Sequence, residues 1–274
     1  VKNGNAVYGI FAQYLDSIKV NNNTVRVNNG TNNALMYGIF LTTSINSSAD
    51  VVNNTVSDTS GATTGIMGGI AVAMGGTGTD NTVNIMNNRV TICFRSGVTS
   101  GASYFIYIAT NPYKVNVTGN TVRDNTVGDG SSTSTGSLYG IYFSSSNSTF
   151  DAKYTVANNN VENITRNQSA PGSGTSYMIY LPSGAYNTEI NNNTVDSIFN
   201  NSTTGTTAGI YYGYTAGGMV SVHDNTVSNV IKGLTGTSGT MYGIYQSSST
   251  DTTLHYNNNV SNIQNYGTTT ATTY

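Results

Sequence analysis

The sequence predicts an all-β fold, a parallel β-helix of about eight coils with three short strands in each coil. Two motifs alternate along the chain eight times each, and both recur at a period of about 33 residues. The segments between turn residues are short and rich in Val, Ile, Thr and Tyr, which favours strands over helices. Short strands that repeat at a fixed period of this length are typical of a β-helix, because each coil needs its neighbours to bury its apolar side chains.

The first motif is spelled Tyr-Gly-Ile-Tyr at residues 139–142 and again at residues 242–245. Its isoleucine is present in all eight units, as Ile10, Ile39, Ile70, Ile106, Ile141, Ile179, Ile210 and Ile244. The residue two positions later is usually apolar, so it and the isoleucine are predicted to share the inner face of a strand. Strict alternation then predicts an outward lane of glycines before the isoleucine and an outward aromatic stripe after it. The predicted aromatic stripe consists of Phe11, Phe40, Tyr107, Tyr142, Tyr180, Tyr211 and Tyr245.

The second motif, Asn-Asn-Thr-Val in its commonest form, carries a valine in every unit: Val25, Val56, Val90, Val122, Val161, Val195, Val227 and Val260. The position two residues before this valine is always asparagine: Asn23, Asn54, Asn88, Asn120, Asn159, Asn193, Asn225 and Asn258. Asparagine tolerates the left-handed backbone of a tight turn. Because neighbouring coils are ~4.8 Å apart, its side-chain amide can also hydrogen-bond from coil to coil. The sequence therefore predicts a structural asparagine ladder along the solenoid.

This ladder, in a chain rich in Asn and Thr, resembles the right-handed parallel β-helix proteins of the pectin-lyase-like superfamily. The chain is most similar to the Asn- and Thr-rich repeat arrays of very large bacterial surface proteins. The resemblance covers nearly the whole chain and implies a single right-handed solenoid domain, residues 1–274, that is extracellular or on the cell surface. Many enzymes of this fold are lyases or hydrolases of acidic polysaccharides, so the resemblance also leaves carbohydrate binding or cleavage open.

The composition narrows the classes of partner. Only 8% of the 274 residues are charged, and a net charge of −2 provides no basic footprint for nucleic acid. No apolar run approaches the ~18 residues that a membrane span requires. The one cysteine, Cys93, lies in an apolar run, which predicts a buried and unreactive thiol. Neither a cofactor nor a metal site is predicted.

One stack of charged side chains is a candidate for catalysis. The residue after the valine is Arg123, Glu162 and Asp196 in three successive units. The coil spacing of ~4.8 Å is close to the ~5 to 5.5 Å between the carboxyl groups of a retaining glycosidase, and such proximity raises the pKa of one carboxyl group. A solvated ionic stack explains the same residues, and the units on either side have no histidine or second basic residue in this register. We therefore predict that neither Glu162 nor Asp196 is catalytic.

The remaining polar signals are weaker. His223 precedes the asparagine of its unit and is predicted to be a turn residue, and His255 stands where an apolar residue is expected, which predicts a one-residue slip of register. The residue before the valine is threonine in five units, Thr24, Thr55, Thr121, Thr194 and Thr226, which keeps ice binding as a minor alternative. Arg89, Asn160 and Asn259 interrupt that row.

We predict a non-catalytic, structural function as a segment of an extracellular stalk, fibre or filament. The predicted partners are flanking repeats of the same chain or further copies stacked end to end, because the array shows no capping segment and stops within a repeat. The aromatic stripe is a possible contact for a glycan or another protein surface. The alternative function is a carbohydrate-binding or polysaccharide-cleaving β-helix.

Overall fold

The structure is a computed structural model that describes residues 6–31, 33–76, 79–97, 100–130, 135–168, 172–202, 204–213, 218–233, 239–247, 252–266 and 272–273. In these ranges the chain forms strands and turns without a helix, and the strands pair in parallel within three sheets. The described residues accordingly include no helix that could cross a membrane.

Two of the three sheets are marked by a sequence motif, and the second sheet lies between them in chain order. The first sheet consists of β1 (Val7–Gln13), β4 (Met36–Ser44), β7 (Met67–Met74), β11 (Ser103–Ile108), β14 (Leu138–Phe143), β17 (Ser176–Leu181), β20 (Thr207–Tyr212), β23 (Thr240–Gln246) and β26 (Thr272–Thr273). All of these strands except β26 carry a motif isoleucine. The second sheet consists of β2 (Ser17–Asn21), β5 (Ser48–Val52), β8 (Thr82–Met86), β12 (Lys114–Thr118), β15 (Lys153–Ala157), β18 (Asn187–Asn191), β21 (Met219–His223) and β24 (Thr252–Tyr256). The third sheet consists of β3 (Thr24–Asn28), β6 (Thr55–Ser60), β9 (Arg89–Thr91), β10 (Phe94–Arg95), β13 (Thr121–Val127), β16 (Asn160–Arg166), β19 (Thr194–Asn200), β22 (Thr226–Lys232) and β25 (Asn259–Asn265). All of these strands except β10 carry a ladder valine.

One strand from each sheet makes a coil, and eight coils follow one another, with β9 and β10 together forming the third-sheet strand of the third coil. Equivalent residues pair directly, as Ile10 does with Ile39 and Val227 with Val260. Seven steps of about 33 residues lead from the first coil to the eighth. The predicted all-β parallel solenoid with three strands per coil is confirmed.

The core is a set of apolar columns between the three sheets. From the second coil to the seventh, the motif isoleucines and the ladder valines have no accessible surface. Full burial of each such side chain contributes about 1.5–3 kcal/mol to folding. Cys93 belongs to the same core and is buried, as predicted.

The eight ladder asparagines hydrogen-bond to one another from the first coil to the eighth. At each of the seven steps, the backbone N–H and the Nδ2 of one asparagine both donate to the Oδ1 of the next. For Asn159 these bonds to Asn193 measure 3.0 and 2.9 Å. The Nδ2 of Asn193 also donates to the carbonyl oxygen of Val156, in the preceding coil, at 2.8 Å. These bonds satisfy amides that are 1% exposed in the six inner coils.

The left-handed turn lies one residue earlier than predicted. The residue before each ladder asparagine, and not the ladder asparagine itself, has a φ between 52° and 67°. These residues are Asn22, Asn53, Asn87, Gly119, Asn158, Asn192, Asp224 and Asn257. Asn, Asp and Gly are the residue types that accept this backbone at the lowest cost. The first residue of the pair therefore shapes the turn, and the second builds the ladder.

The glycine of Tyr-Gly-Ile-Tyr faces the core, so the predicted outer lane of glycines is wrong. Between β14 and β17, pairing joins the tyrosines and the isoleucines and passes over Gly140. A Cβ on Gly140 would lie 2.4 Å from the carbonyl oxygen of Met178 and 3.1 Å from Cγ1 of Val161. In the two coils without glycine, Phe105 and Met178 stand here, and both are fully buried. The unpaired residue makes a bulge in each strand, and the glycine leaves room for the valine of the third sheet.

The eighth coil keeps the register of the seventh, so the predicted one-residue slip is also wrong. His255 pairs with Val222 and occupies the inward position, while Leu254 and Tyr256 face outward. The Nε2 of His255 is hydrogen-bonded to the hydroxyl of Tyr212. Partial burial lowers the pKa of His255. A histidine with a buried phenol as its partner therefore takes the place of an apolar core residue.

Three buried cations join the third sheet to the loops that lead back to the first. Arg95, Arg166 and Lys232 stand five residues after the ladder valine in alternate coils, and none is more than 1% exposed. Arg95 donates to the carbonyl oxygen of Gly101 at 3.0 Å, and Lys232 donates to that of Gly205 at 2.9 Å. Burial lowers the pKa of both arginines to about 10 and that of Lys232 to about 8. These side chains hold loop carbonyls in place, a role that the sequence did not indicate.

A change of backbone between the second and third coils places a carboxyl group in the core. From the third coil onward, the residue two positions after the ladder valine is left-handed: Ile92, Asp124, Asn163, Ser197, Asn229 and Asn262. In the second coil this residue is Asp58, which pairs with Val27 and points inward with no accessible surface. Neither oxygen of Asp58 makes a hydrogen bond of good geometry. Burial raises the pKa of this carboxyl well above 3.8, and the nearby amides of Gly38 and Val27 offset only part of the effect.

We expect Asp58→Val to stabilise the protein by about 1–3 kcal/mol at neutral pH, because a buried ionisable group is replaced by an apolar one of similar size. Because the pKa of Asp58 is higher in the folded protein than in the unfolded chain, wild-type stability is greatest below the unfolded pKa and falls as pH rises toward the raised folded value. The advantage of the variant should therefore shrink between pH 7 and pH 4 in urea unfolding experiments. Asp50→Asn, at an outward position beside Lys19, is the control and should change little. A gain for Asp58→Val that does not depend on pH would contradict this account.

Candidate functional site

Two columns of aromatic rings run along the outer face of the first sheet. The bulge at the position before each motif isoleucine turns the tyrosine ahead of it to the same side as the ring after the isoleucine. The predicted aromatic stripe is therefore joined by a second column that strict alternation had missed, formed by Tyr8, Tyr37, Tyr104, Tyr139, Tyr177 and Tyr242. We call the contiguous rings of the last five coils the tyrosine stack: Tyr104, Tyr107, Tyr139, Tyr142, Tyr177, Tyr180, Tyr211, Tyr242 and Tyr245.

The rings of the tyrosine stack cover one another's faces. The Tyr142 ring lies 4.5 Å from that of Tyr139 in its own coil, centroid to centroid, with 16° between the planes. It also lies 5.2 Å from Tyr107 in one neighbouring coil and 5.2 Å from Tyr180 in the other, at 8° and 21°. Nearly parallel rings at these distances make favourable offset stacks. The surface that remains open to solvent consists mainly of ring edges and hydroxyl groups, whereas a sugar packs on ring faces.

The order of the stack decreases toward the eighth coil. The Tyr211 ring is inclined by 67° to that of Tyr180 and by 55° to that of Tyr245, although both centroids lie within 5.0 Å. In the third coil the two aromatic positions are held by Gly68 and Ala71. There the Tyr37 ring covers Gly68, where a Cβ would meet two ring carbons at 2.1 Å. The rings of the first two coils are thus separated from the tyrosine stack.

Four phenols of the stack, those of Tyr104, Tyr142, Tyr177 and Tyr180, are held in the neutral form by burial. Burial raises the pKa of Tyr104, Tyr142 and Tyr180 above the ordinary value of 10.0, and the neighbouring tyrosines raise it further. Burial likewise raises the pKa of Tyr177 to about 12. These four residues therefore present uncharged hydroxyl groups along coils 4 to 6 of the solenoid.

The predicted charged stack lies on the outer face of the third sheet. Arg123 pairs with Glu162 and Glu162 pairs with Asp196 in adjacent strands. The Nη1 of Arg123 is 3.4 Å from Oε1 of Glu162, and its Nε is 2.9 Å from Oδ2 of Asp124. The three side chains are brought together as expected, and the arginine partly neutralises its carboxylate neighbours.

Asp196 is held in its ionised form by hydrogen bonds. Its Oδ1 accepts from Oγ of Ser228 at 2.6 Å and from Nδ2 of Asn229 at 2.7 Å, and its Oδ2 accepts from Oγ of Ser197 at 2.7 Å. Partial burial acts to raise the pKa of Asp196, but these hydrogen bonds outweigh it, and the pKa is lowered. A carboxyl group in this state accepts protons poorly and cannot serve as a general acid near neutral pH.

A groove of about 480 Å³ crosses the outer face of the second sheet at β15, β18, β21 and β24. One side is polar and includes Lys153, Asn187 and Glu189, and the other is apolar and includes Met219, Leu254 and Tyr256. Met219, Leu254 and Tyr256 are 42–46% exposed, on a face that is mostly polar in earlier coils. A concave surface that joins exposed apolar groups to convergent polar ones is a candidate ligand site.

His223 lines this groove and is the last residue of β21, not the turn residue that was predicted. Its Nδ1 is 2.7 Å from Oδ2 of Asp224, and its Nε2 is 3.6 Å from Oε1 of Glu189. Glu189 also pairs with Lys153 at 3.3 Å. The imidazole ring stacks on that of Tyr256 at 4.4 Å and 7°. The chain brings these groups together from four coils, which explains why each looked isolated in the sequence.

The groove holds a histidine between two carboxylates, an arrangement that can bind a polar ligand or relay a proton. Within the described ranges, no group of three His, Cys, Asp or Glu side chains is placed to hold a metal ion. No protein-family model, no curated protein sequence and no solved structure matches this chain. The chain is defined by its own geometry as a parallel β-solenoid with three distinct outer faces.

Proposed function

We propose that this chain is a structural extracellular solenoid, a segment of a surface stalk, fibre or filament built on the pectin-lyase-like β-helix plan. The observation that carries the proposal is the asparagine ladder, which runs through all eight coils without a break. Coils ~4.8 Å apart that share buried hydrogen bonds form a stiff rod with few openings for proteases. The sparsely charged, Asn-, Thr- and Tyr-rich composition also favours an extracellular setting.

The proposed partners are further coils stacked end to end, supplied by the same chain or by another copy. Val260 in the eighth coil is 44% exposed, whereas its counterpart Val227 in the seventh coil is fully buried. Each ladder asparagine accepts from the coil before it and donates to the coil after it, so the ladder pattern can extend in both directions. A further coil would cover the apolar edge and pair strand groups that otherwise favour aggregation.

We expect the purified protein to leave acidic polysaccharides intact, because Asp196 is held ionised and Glu162 is paired with Arg123. The measurement is the release of reducing or unsaturated ends from polygalacturonate and related polymers. Cleavage that is lost in Glu162→Gln and retained in the control Asn163→Ala would overturn the structural proposal in favour of an enzyme.

A second candidate function is carbohydrate binding, and the observation that favours it is the groove on the second sheet. The exposed ring of Tyr256 beside the polar groups of Glu189 and His223 offers both the apolar and the hydrogen-bonding contacts that sugars use. Binding to a glycan panel that is lost in Tyr256→Ala and retained in Tyr142→Phe would support the groove. The opposite pattern would support the aromatic stripe as the glycan contact.

A further inference from the structure

The tyrosine stack forms one continuous path of ring contacts along the solenoid. The path begins at Tyr104 and passes in order through Tyr107, Tyr142, Tyr139, Tyr180, Tyr177, Tyr211, Tyr245 and Tyr242. Successive centroid distances on it are 4.7, 5.2, 4.5, 5.3, 4.5, 4.9, 5.0 and 4.1 Å. Every ring is thus in contact with at least one other ring, over five coils. Contacts this short allow an electron to move between rings without an intervening group.

The composition makes these phenols the most easily oxidised accessible groups in their part of the molecule. The chain contains no tryptophan and only one cysteine. Cys93 is buried, and burial raises the pKa of its thiol, so it reacts slowly with oxidants. The stack, in contrast, presents ring edges and hydroxyl groups at the surface.

We propose that the tyrosine stack is a one-electron oxidation site, in which a radical formed on one ring passes between the stacked rings along the solenoid. The partner is a one-electron oxidant, such as the oxidised haem of a peroxidase or an oxidising metal complex. The oxidant takes one electron from a phenol, the Oη–H bond breaks, and the proton goes to water. A neutral tyrosyl radical remains.

The radical moves when a neighbouring phenol gives up an electron and a proton. The first ring regains both and becomes a phenol again, and the second ring carries the radical. Two radicals on facing chains end the sequence by forming a carbon–carbon bond between ring positions next to the hydroxyl groups. The two ring hydrogens at that bond move to the oxygens as aromaticity returns, which gives dityrosine. Two equivalents of oxidant are reduced, and two protons are released for each cross-link.

Stacking and exposure predict different sites of oxidation. The most exposed described tyrosines, Tyr14, Tyr266 and Tyr256, are 71%, 49% and 46% exposed, and all three lie outside the stack. Oxidation that follows exposure alone would mark these three residues. Stacked rings share the positive charge that exists between loss of the electron and loss of the proton, which eases the oxidation step. The stack is therefore expected to collect radicals although its rings are less exposed than those three.

The test is light-driven oxidation of the whole protein with a tris(bipyridyl)ruthenium complex and persulfate, with a nitroso spin trap present and the adducts mapped by peptide mass spectrometry. We expect trap adducts and dityrosine on residues of the stack in preference to Tyr14, Tyr256 and Tyr266. The double variant Tyr139→Phe/Tyr142→Phe keeps the rings but removes both oxidisable phenols of the fifth coil. It should lose adducts within the stack.

Tyr113→Phe is the matched control, because Tyr113 lies outside the stack and has a hydroxyl bond to the carbonyl of Phe150. This control should give the wild-type distribution of adducts. Melting curves of both variants check that the fold is kept. Adducts that follow exposure, or an equal distribution in the double variant and the control, would overturn the proposal.

Discussion

Replacing Asn193 by alanine should lower the free energy of unfolding by about 4 kcal/mol, because several buried groups lose a partner at once. The Asn193 side chain donates to the carbonyl oxygen of Val156 and to Oδ1 of Asn225, and it accepts from the backbone and side-chain amides of Asn159. Alanine can replace none of these four bonds, and water cannot reach the site. The measurement is urea unfolding followed by circular dichroism.

Asn23→Ala is the matched control for the ladder. Asn23 stands in the first coil, is partly exposed, and keeps its backbone bond to Oδ1 of Asn54 when the side chain is removed. Removal of the Asn23 side chain should lower the free energy of unfolding by about 1 kcal/mol. Equal effects of the two substitutions would mean that the ladder contributes no more in the interior than at an end, which contradicts a cooperative ladder.

Replacing Gly140 by alanine should lower the free energy of unfolding by about 3 kcal/mol or more, because the added methyl group overpacks a closed part of the core. Its Cβ would lie 2.4 Å from the carbonyl oxygen of Met178, an atom of the backbone that cannot turn away. The strand of the sixth coil would have to move, and its hydrogen bonds with β14 would be strained. The same unfolding experiment measures this effect.

Gly76→Ala provides the control for that substitution. A Cβ on Gly76 would have its nearest neighbour, Oδ1 of Asn111, at 3.7 Å, which is ordinary van der Waals contact. Its stability should be unchanged or slightly higher, because alanine restricts the unfolded chain more than glycine does. A mild effect at Gly140 as well would show that the bulge accepts a side chain there and that the inward assignment is wrong.

The repeat and the ladder could be predicted because each depends on one residue type at one fixed position in every coil. The direction of the glycine could not be predicted from alternation, because a bulge adds one residue and reverses the face of what precedes it. A signal was nevertheless present in Phe105 and Met178. Had that position faced outward, both would have been large apolar side chains in solvent.

The sequence also contained a signal for the position of the left-handed turn. The position before the ladder contains only Asn, Asp and Gly, the residue types suited to a left-handed backbone, whereas the ladder position contains asparagine alone. The groove could not be predicted from the sequence, because Lys153, Glu189 and His223 belong to three coils and form no motif within any one of them. Asp58 likewise becomes notable only when its inward direction is known.

The central claim is that the ladder binds the coils into one rigid unit, and amide hydrogen exchange tests this claim most directly. We predict that the backbone amides of Asn54, Asn120 and Asn193 exchange only through global unfolding and are protected to the same degree. Rapid exchange at these amides under native conditions, or coils that open independently of their neighbours, would contradict the claim.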